Sequence, residues 1–314
     1  MLSHLRDRQR GFVQSMKDHL VRLGPRHPAT RLTLAALGRC HGVRVTVTAD
    51  AIVLQRAAHQ MRVAHRDAYL VPYLIGALDQ FVATVQSKGG VLDFSRPGRH
   101  TVGGFTLLYP GIPEDESLAD YTRHYTPQSG DLVFDVGAHA GLTAVQFAHL
   151  VGPTGRVIAF EPDPATLTYL RENVAAFPQI TVAAVALDAA TGTAAFNADG
   201  TMGAGLVAHS VYGHTGPPVA VPTLSFEEAC HCYGVPAYAK LDIEGAEVEV
   251  IRTAQSFLAA HPIHLAFDSD HRRRDGQSTV ALLEPLLRDA GYTVESARTA
   301  GQGMTWATPG GFTR

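Results

Sequence analysis

The sequence predicts an α/β protein: a doubly wound, mostly parallel sheet over residues 126–314, preceded by an α+β extension over 1–125. Three observations carry this. Between 126 and 314, five short and mostly apolar runs close on Gly, Pro or Asp: 131–137 (DLVFDVG), 155–162 (GRVIAFEP), 180–188 (ITVAAVALD), 237–245 (AYAKLDIEG) and 261–270 (HPIHLAFDSD). Amphipathic stretches at 141–151, 164–176, 224–233, 246–260 and 278–290 alternate with them, which is the rhythm of βαβ units. The runs are nearly continuous in apolar residues rather than alternating, as strands buried on both faces require.

The extension has a different texture. Residues 3–23 place Leu5, Phe12, Met16, Leu20 and Val21 at helical spacing. RVTVTADAIVLQR reads as a hairpin turning at Ala49-Asp50, residues 67–86 as an apolar helix, and GGVLDF and GGFTLLYP as short strands. This region is expected to serve as a cap or an oligomerisation element, with a homo-oligomer one outcome.

Composition narrows the class. Of 314 residues, 46% are apolar and 18% charged, and 26 Lys+Arg against 29 Asp+Glu leave a net charge of −3. That balance offers no basic excess to grip a phosphate backbone, so no nucleic-acid partner is expected. The longest apolar run, Tyr69–Leu78, contains a Pro and is half the roughly 20 residues that a membrane span needs. Residues 1–12 lack the apolar stretch of a secretory signal, and three Cys make no disulfide framework. The expected location is cytoplasmic.

A doubly wound sheet binds its ligand at the carboxyl ends of its strands, so the residues closing each run matter most. The first run passes through Asp135 into Gly137-Ala138-His139-Ala140-Gly141, and a helix opens at about Leu142. Glycines there permit close approach of a ligand, and the helix N-terminus offers free N–H groups. A dinucleotide loop wants Gly-x-Gly-x-x-Gly; here His139 stands at the second glycine and a carboxylate stands inside the loop. Asp135 repels a pyrophosphate but receives an ammonium. The ligand is therefore expected to be a nucleoside carrying a zwitterion, a description that S-adenosylmethionine meets. Glu161, 26 residues past Asp135, is placed to accept from ribose hydroxyls, and Asp188 from the adenine amino group. A nicotinamide-dependent oxidoreductase and a non-catalytic binding module of the same architecture are the alternatives.

The ordered set DVGAHAG, AFEP and KLDIEGAE resembles the FkbM family of S-adenosylmethionine-dependent methyltransferases, over roughly residues 117–307. The resemblance implies a Rossmann-like class I methyltransferase fold and a cofactor site at Asp135, Gly137, Ala138, His139, Gly141 and Thr143, with Glu161 on the ribose. It places Asp242 near the methionine end or the transferring methyl. It also implies transfer to a hydroxyl of a sugar or secondary metabolite, so the partner is a small-molecule or glycan acceptor. The sequence departs from the family after the fifth strand: members often carry a Glu and a His, where this chain has Phe267-Asp-Ser-Asp-His271.

Transfer to a hydroxyl requires that its proton be removed. His271 is the first choice of base because an ordinary imidazole titrates near pH 6.5; Asp242 and Lys240 complete the expected catalytic set. Lys240 reads equally as an ion-pair partner or as an orienter of the acceptor. Glu244 and Glu247 read as acids favouring a helix start. Asp242, Asp268 and Asp270 are oxygen donors at adjacent strand ends, as Mg²⁺ needs, but no metal site is assigned. Cys230-His231-Cys232 lacks a second ligand pair and reads as ordinary thiols. The run Arg272–Arg274 reads as a solvated loop or a contact for an anionic acceptor, Tyr121 and Tyr125 as a cover for the cofactor or as core. Residues 197–222, rich in Gly and Pro, are expected to form a loop over the site.

Overall fold

The computed structural model describes residues 23–85, 91–114, 117–198, 200–209, 216–271, 273, 276–299 and 302–310. The chain divides into two compact units, Met1–Asp115 with Tyr212–Thr215 and Glu116–Val211 with Gly216–Arg314.

In the first unit, helix α1 (Pro28–Cys40) leads into strands β1 (Arg44–Val47), β2 (Ile52–Arg56) and β3 (His59–Val63). A 3-10 turn (His65–Leu70) then runs into α2 (Val71–Thr84), followed by β4 (Val91–Phe94), β5 (Gly98–Val102) and β6 (Phe105–Tyr109). The expected hairpin is β1–β2, paired from Val47↔Ile52, and its turn is closed by Thr48 Oγ1 on Asp50 at 2.7 Å. β3 and β5 went unread in the sequence; they extend this hairpin and pair with β6, respectively. The amphipathic run 3–23 lies outside the described residues except for its last position.

The second unit holds α3 (Leu118–Tyr121), β7 (Leu132–Val136), α4 (Leu142–Val151), β8 (Arg156–Phe160), α5 (Pro164–Val174) and β9 (Ile180–Ala183). Four short strands follow, β10 (Ala186–Leu187), β11 (Gly192–Asn197), β12 (Gly205–Leu206) and β13 (Val219–Leu224). The chain then continues through α6 (Phe226–Tyr233), β14 (Tyr238–Leu241), α7 (Glu247–Ala260), β15 (His264–Asp268), α8 (Thr279–Asp289), β16 (Tyr292–Thr299) and β17 (Gln302–Pro309). Seven strands form one sheet in the order β9-β8-β7-β14-β15-β17-β16. The five from β9 to β15 are parallel, and β17 lies antiparallel between β15 and β16. From β7 the sheet extends through β8 to β9 on one side and through β14 to β15 on the other. The order therefore reverses between β7 and β14, and sheets of this kind take their ligands at the carboxyl ends of the strands flanking such a reversal.

The apolar runs meet in one core, where Phe134, Val136, Phe160, Leu241 and Phe267 pack with Val250, Ile251 and Leu258 of α7. Two readings change. The run 180–188 is not one strand: the Val185 N–H turns back onto the Ala183 carbonyl at 2.9 Å, and β10 leaves the main sheet to pair with β13. The segment 197–222, expected as one loop, supplies β12 and most of β13 to a small four-stranded sheet, although residue 199 and residues 210–215 lie outside the described set. The antiparallel β16–β17 pair was not foreseen; β16 is the edge strand and alternates in exposure, while residues 303–307 of β17 are buried between it and β15.

Asp163 fastens this small sheet to the main one. Its Oδ1 caps α5 at the Ala165 amide (2.8 Å), while Oδ2 accepts from the Gly200 amide (2.9 Å), and the side chain is fully buried. Asp163→Ala removes the cap and leaves a buried amide unpaired, so it should cost about 2 kcal/mol, measured by urea denaturation. A change under about 0.5 kcal/mol would show that the clasp carries no weight.

Candidate active site

The first strand delivers Asp135 into the interior, where the carboxylate is completely buried. Its charge is answered by the protein itself: Thr143 Oγ1 donates to Oδ2 at 2.7 Å, and Lys240 Nζ lies 3.3 Å from Oδ1. Lys240, two residues before Asp242 and 2% exposed, also donates to the Gly137 carbonyl at 2.8 Å. Its ammonium lies 5.5 Å from the centre of the Tyr121 ring and 3.9 Å from Asp242 Oδ2. The structure thus gives Lys240 the ion-pair arrangement. The ammonium expected at Asp135 from a ligand is supplied from the neighbouring strand.

The loop after β7 is bound on every side. The Gly137 and Ala138 amides both donate to the Phe160 carbonyl at 3.0 Å, and Asn173 Nδ2 donates to the Ala140 carbonyl at 2.8 Å. A Cβ on Gly137, where φ is +82°, would stand 1.9 Å from the Asp242 carbonyl oxygen. The two strand-end loops are pressed together there, and no side chain fits. His139, in place of the glycine of a dinucleotide loop, still adopts a left-handed backbone (φ 45°). Gly141 (φ 96°) opens α4.

Glu161 lies against this loop. Its Oε2 accepts from the His139 amide at 2.9 Å and its Oε1 from the Asp163 amide at 2.8 Å. Burial pushes its pKa up to about 7, and those two amides and His139 offset only part of that. Asp188, at the end of β10, accepts from its neighbour Ala189 (2.8 Å) and lies 3.3 Å from His209 Nε2. Partial burial raises its pKa, but the hydrogen bonds from His209 and Ala189 outweigh that and leave it lowered. His209, in the segment after β12, carried no sequence signal because its partner is 21 residues away. Asp163 did carry one, an Asp-Pro pair before a helix.

The other half of the site surrounds His271. Asp242 Oδ2 accepts from the Tyr121 hydroxyl at 3.4 Å, and its Oδ1 is 3.7 Å from His271 Nε2. Glu244 Oε2 is also 3.7 Å from Nε2, and Glu247 Oε1 is 3.4 Å from Nδ1. Glu247 is fully buried and reaches back to the Ile243 amide at 2.7 Å, so it orders the helix start as expected and also backs the imidazole. Burial alone would lower the pKa of His271, but Glu244, Asp268 and Glu247 reverse this and hold it well above 6.5. The acids around it thus favour the protonated imidazole. Burial raises the pKa of Glu244 to about 8 and also raises that of Asp268.

Other candidates leave the site. Asp270 turns away to form a bidentate pair with Arg298. Arg273 is tied to Glu249 (2.8 Å) and the Gly245 carbonyl (3.0 Å), while Arg272 and Arg274 lie outside the described residues. Tyr125 bonds Asp131 at 2.6 Å and stacks on His264, a packing role. Cys230 is buried, its thiol pushed up to about 12 by burial and Glu227, while Cys232 on the same short helix is exposed.

Lys240→Met leaves the Asp135 carboxylate buried without its cation and should cost about 3–5 kcal/mol. Combining it with Asp135→Asn should restore most of that loss, a coupling read from a double-mutant cycle of denaturation free energies. Additive losses would contradict the pairing.

Residues 135–294, just over half of the chain, match the family model described as the methyltransferase FkbM domain. A protein-L-isoaspartate O-methyltransferase of Aeropyrum pernix is 38% identical over 71 residues, which are 23% of this chain and 25% of that protein. The chain thus spans about a quarter of the length of this curated relative. Among solved structures, a methyltransferase FkbM from Methylobacillus flagellatus aligns at a TM-score of 0.39 with 17% identity, covering 56% of this chain and 43% of that one. Methanococcus jannaschii fibrillarin, a pre-rRNA processing protein, aligns at 0.43 with 11% identity, covering 86% and 99%. With a family match across both strand-end loops and Glu161, the chain belongs to the FkbM methyltransferase family.

Proposed function

We propose that the protein is an S-adenosylmethionine-dependent methyltransferase that methylates a hydroxyl of a sugar or secondary metabolite. The observation that carries this reading is the junction of the loop 137–141 with Glu161. A glycine loop at the reversal point of the sheet is fastened through the His139 amide to a buried carboxylate at the next strand end. In this reading Glu161 accepts from the ribose hydroxyls and Asp188, steadied by His209, from the adenine amino group. Gly137, Ala138, His139 and Gly141 supply the backbone surface against which the ligand lies. Asp135 and Thr143 act from beneath, through Lys240, by fixing the shape of that loop.

When bound, the cofactor would supply a methyl group on a sulfonium: its carbon passes to the acceptor oxygen, the C–S electron pair stays on sulfur, and the hydroxyl proton passes to the Asp242 carboxylate. The chain's own task is to orient and to exclude water. Asp242, gripped by the Tyr121 hydroxyl and facing His271, is placed to take the acceptor's hydrogen bond. Lys240 is a positioning residue in this account. The net charge of −3 and the acidic wall of Asp242, Glu244 and Asp268 favour a small-molecule or glycan acceptor over nucleic acid. Among the described residues no helix is long and apolar enough to cross a membrane, and all three cysteines are free thiols, which supports a reducing, cytoplasmic setting.

Titration calorimetry with S-adenosylhomocysteine should show one site per chain. Binding to ribose hydroxyls favours ionised Glu161, so affinity should be full above pH 7 and fall as pH drops through about 7. Glu161→Gln should weaken binding and flatten that dependence. Absence of binding at pH 8 would overturn the proposal.

A further inference from the structure

We propose that Asp242, Asp268 and His271 form a binding site for one divalent cation. One carboxylate oxygen from each acid and one imidazole nitrogen all lie within 4.8 Å of one another, at the ends of the adjacent strands β14 and β15. An ion with bonds of about 2.1 Å holds its donors roughly 3 to 4 Å apart, so small side-chain rotations close the set. Asp270, the third acid that the sequence suggested, is replaced by His271 because Arg298 holds it elsewhere.

A second, independent observation is Glu247. This fully buried carboxylate stands behind the imidazole, with Oε1 3.4 Å from Nδ1, and its Oε2 has no hydrogen-bond partner. A carboxylate behind one ring nitrogen fixes the tautomer and turns the other nitrogen forward, the usual support of a metal-bound histidine. Here the forward nitrogen, Nε2, faces Asp242 at 3.7 Å and Glu244 at 3.7 Å.

Charge points the same way. Asp242, Glu244 and Glu247 lie within 3.7 Å of the imidazole, Asp268 stands in the same cluster, and Lys240, paired with Asp135, lies 3.9 Å from Asp242. Carboxylates gathered this closely repel one another when ionised, and a divalent ion between them relieves that repulsion. Two carboxylates with one imidazole suit Mn²⁺ or a similar first-row ion. For a methyltransferase acting on a hydroxyl, such an ion would bind the acceptor oxygen and lower its pKa. That role rests on the proposed function; the binding itself does not.

The test is Mn²⁺ titration of the full chain, followed by electron paramagnetic resonance, with S-adenosylhomocysteine calorimetry in parallel. One Mn²⁺ per chain is expected, weakened at least about tenfold by Asp268→Asn and unaffected by Asp270→Asn. The spin-echo signal of a coordinated imidazole nitrogen should disappear in His271→Gln, a readout that a folding defect verified absent by circular dichroism does not mimic. No saturable binding, or binding unchanged in Asp268→Asn, overturns the site. Mn²⁺ binding without S-adenosylhomocysteine binding would instead count against the methyltransferase reading alone, and the reverse result against the metal alone.

Discussion

The buried ion pair between Asp135 and Lys240 holds the site in shape. Two strands adjacent in the sheet but 105 residues apart in sequence each bring one charge into an interior where neither is tolerated singly. Their pairing fixes the register of β7 against β14, and Lys240 then spends another hydrogen on the Gly137 carbonyl. The loop that would cradle a ligand is thereby locked to the strand that carries Asp242. Gly137 completes the constraint, since the Asp242 carbonyl occupies the space that any side chain there would need.

From that junction the site spreads in two directions with different electrostatics. Towards β8, acids are satisfied by backbone amides: Glu161 by His139 and Asp163, and Asp163 by Ala165 and Gly200. Towards β15, acids face one another across a histidine, and burial raises their affinity for protons. In the proposed function the first half receives hydrogen bonds from the ribose hydroxyls. The second half gathers carboxylates around His271. Glu244, a non-glycine residue at φ 57°, shows how far the backbone bends to bring a carboxylate there, and such outliers gather where function sets the geometry.

Much of this was legible in the sequence, for physical reasons. The five parallel strands were visible because strands buried on both faces leave continuous apolar runs, and the strand ends were visible because Gly, Asp and Glu interrupt those runs. That Asp135, Glu161 and Asp242 stand at strand ends was legible from those interruptions. What the sequence hid was partnership. Nothing local announces that Lys240 turns to Asp135, that His209 reaches Asp188, or that Asp270 is captured by Arg298 while His271 is not. The shift of His271 was hidden in the same way, because it depends on three carboxylates, Glu244, Glu247 and Asp268, from two strand ends. The break at Val185 escaped because an apolar run reads alike whether it stays in one sheet or passes to another.

The most direct test of the account is a crystal structure with S-adenosylhomocysteine. The account places the ribose hydroxyls on the Glu161 carboxylate, the adenosyl group along the loop 137–141, and the sulfur on the side of Asp242 with Lys240 still on Asp135. Density for the ligand away from Glu161, or a Lys240 ammonium withdrawn from Asp135 while the loop keeps its shape, would contradict it.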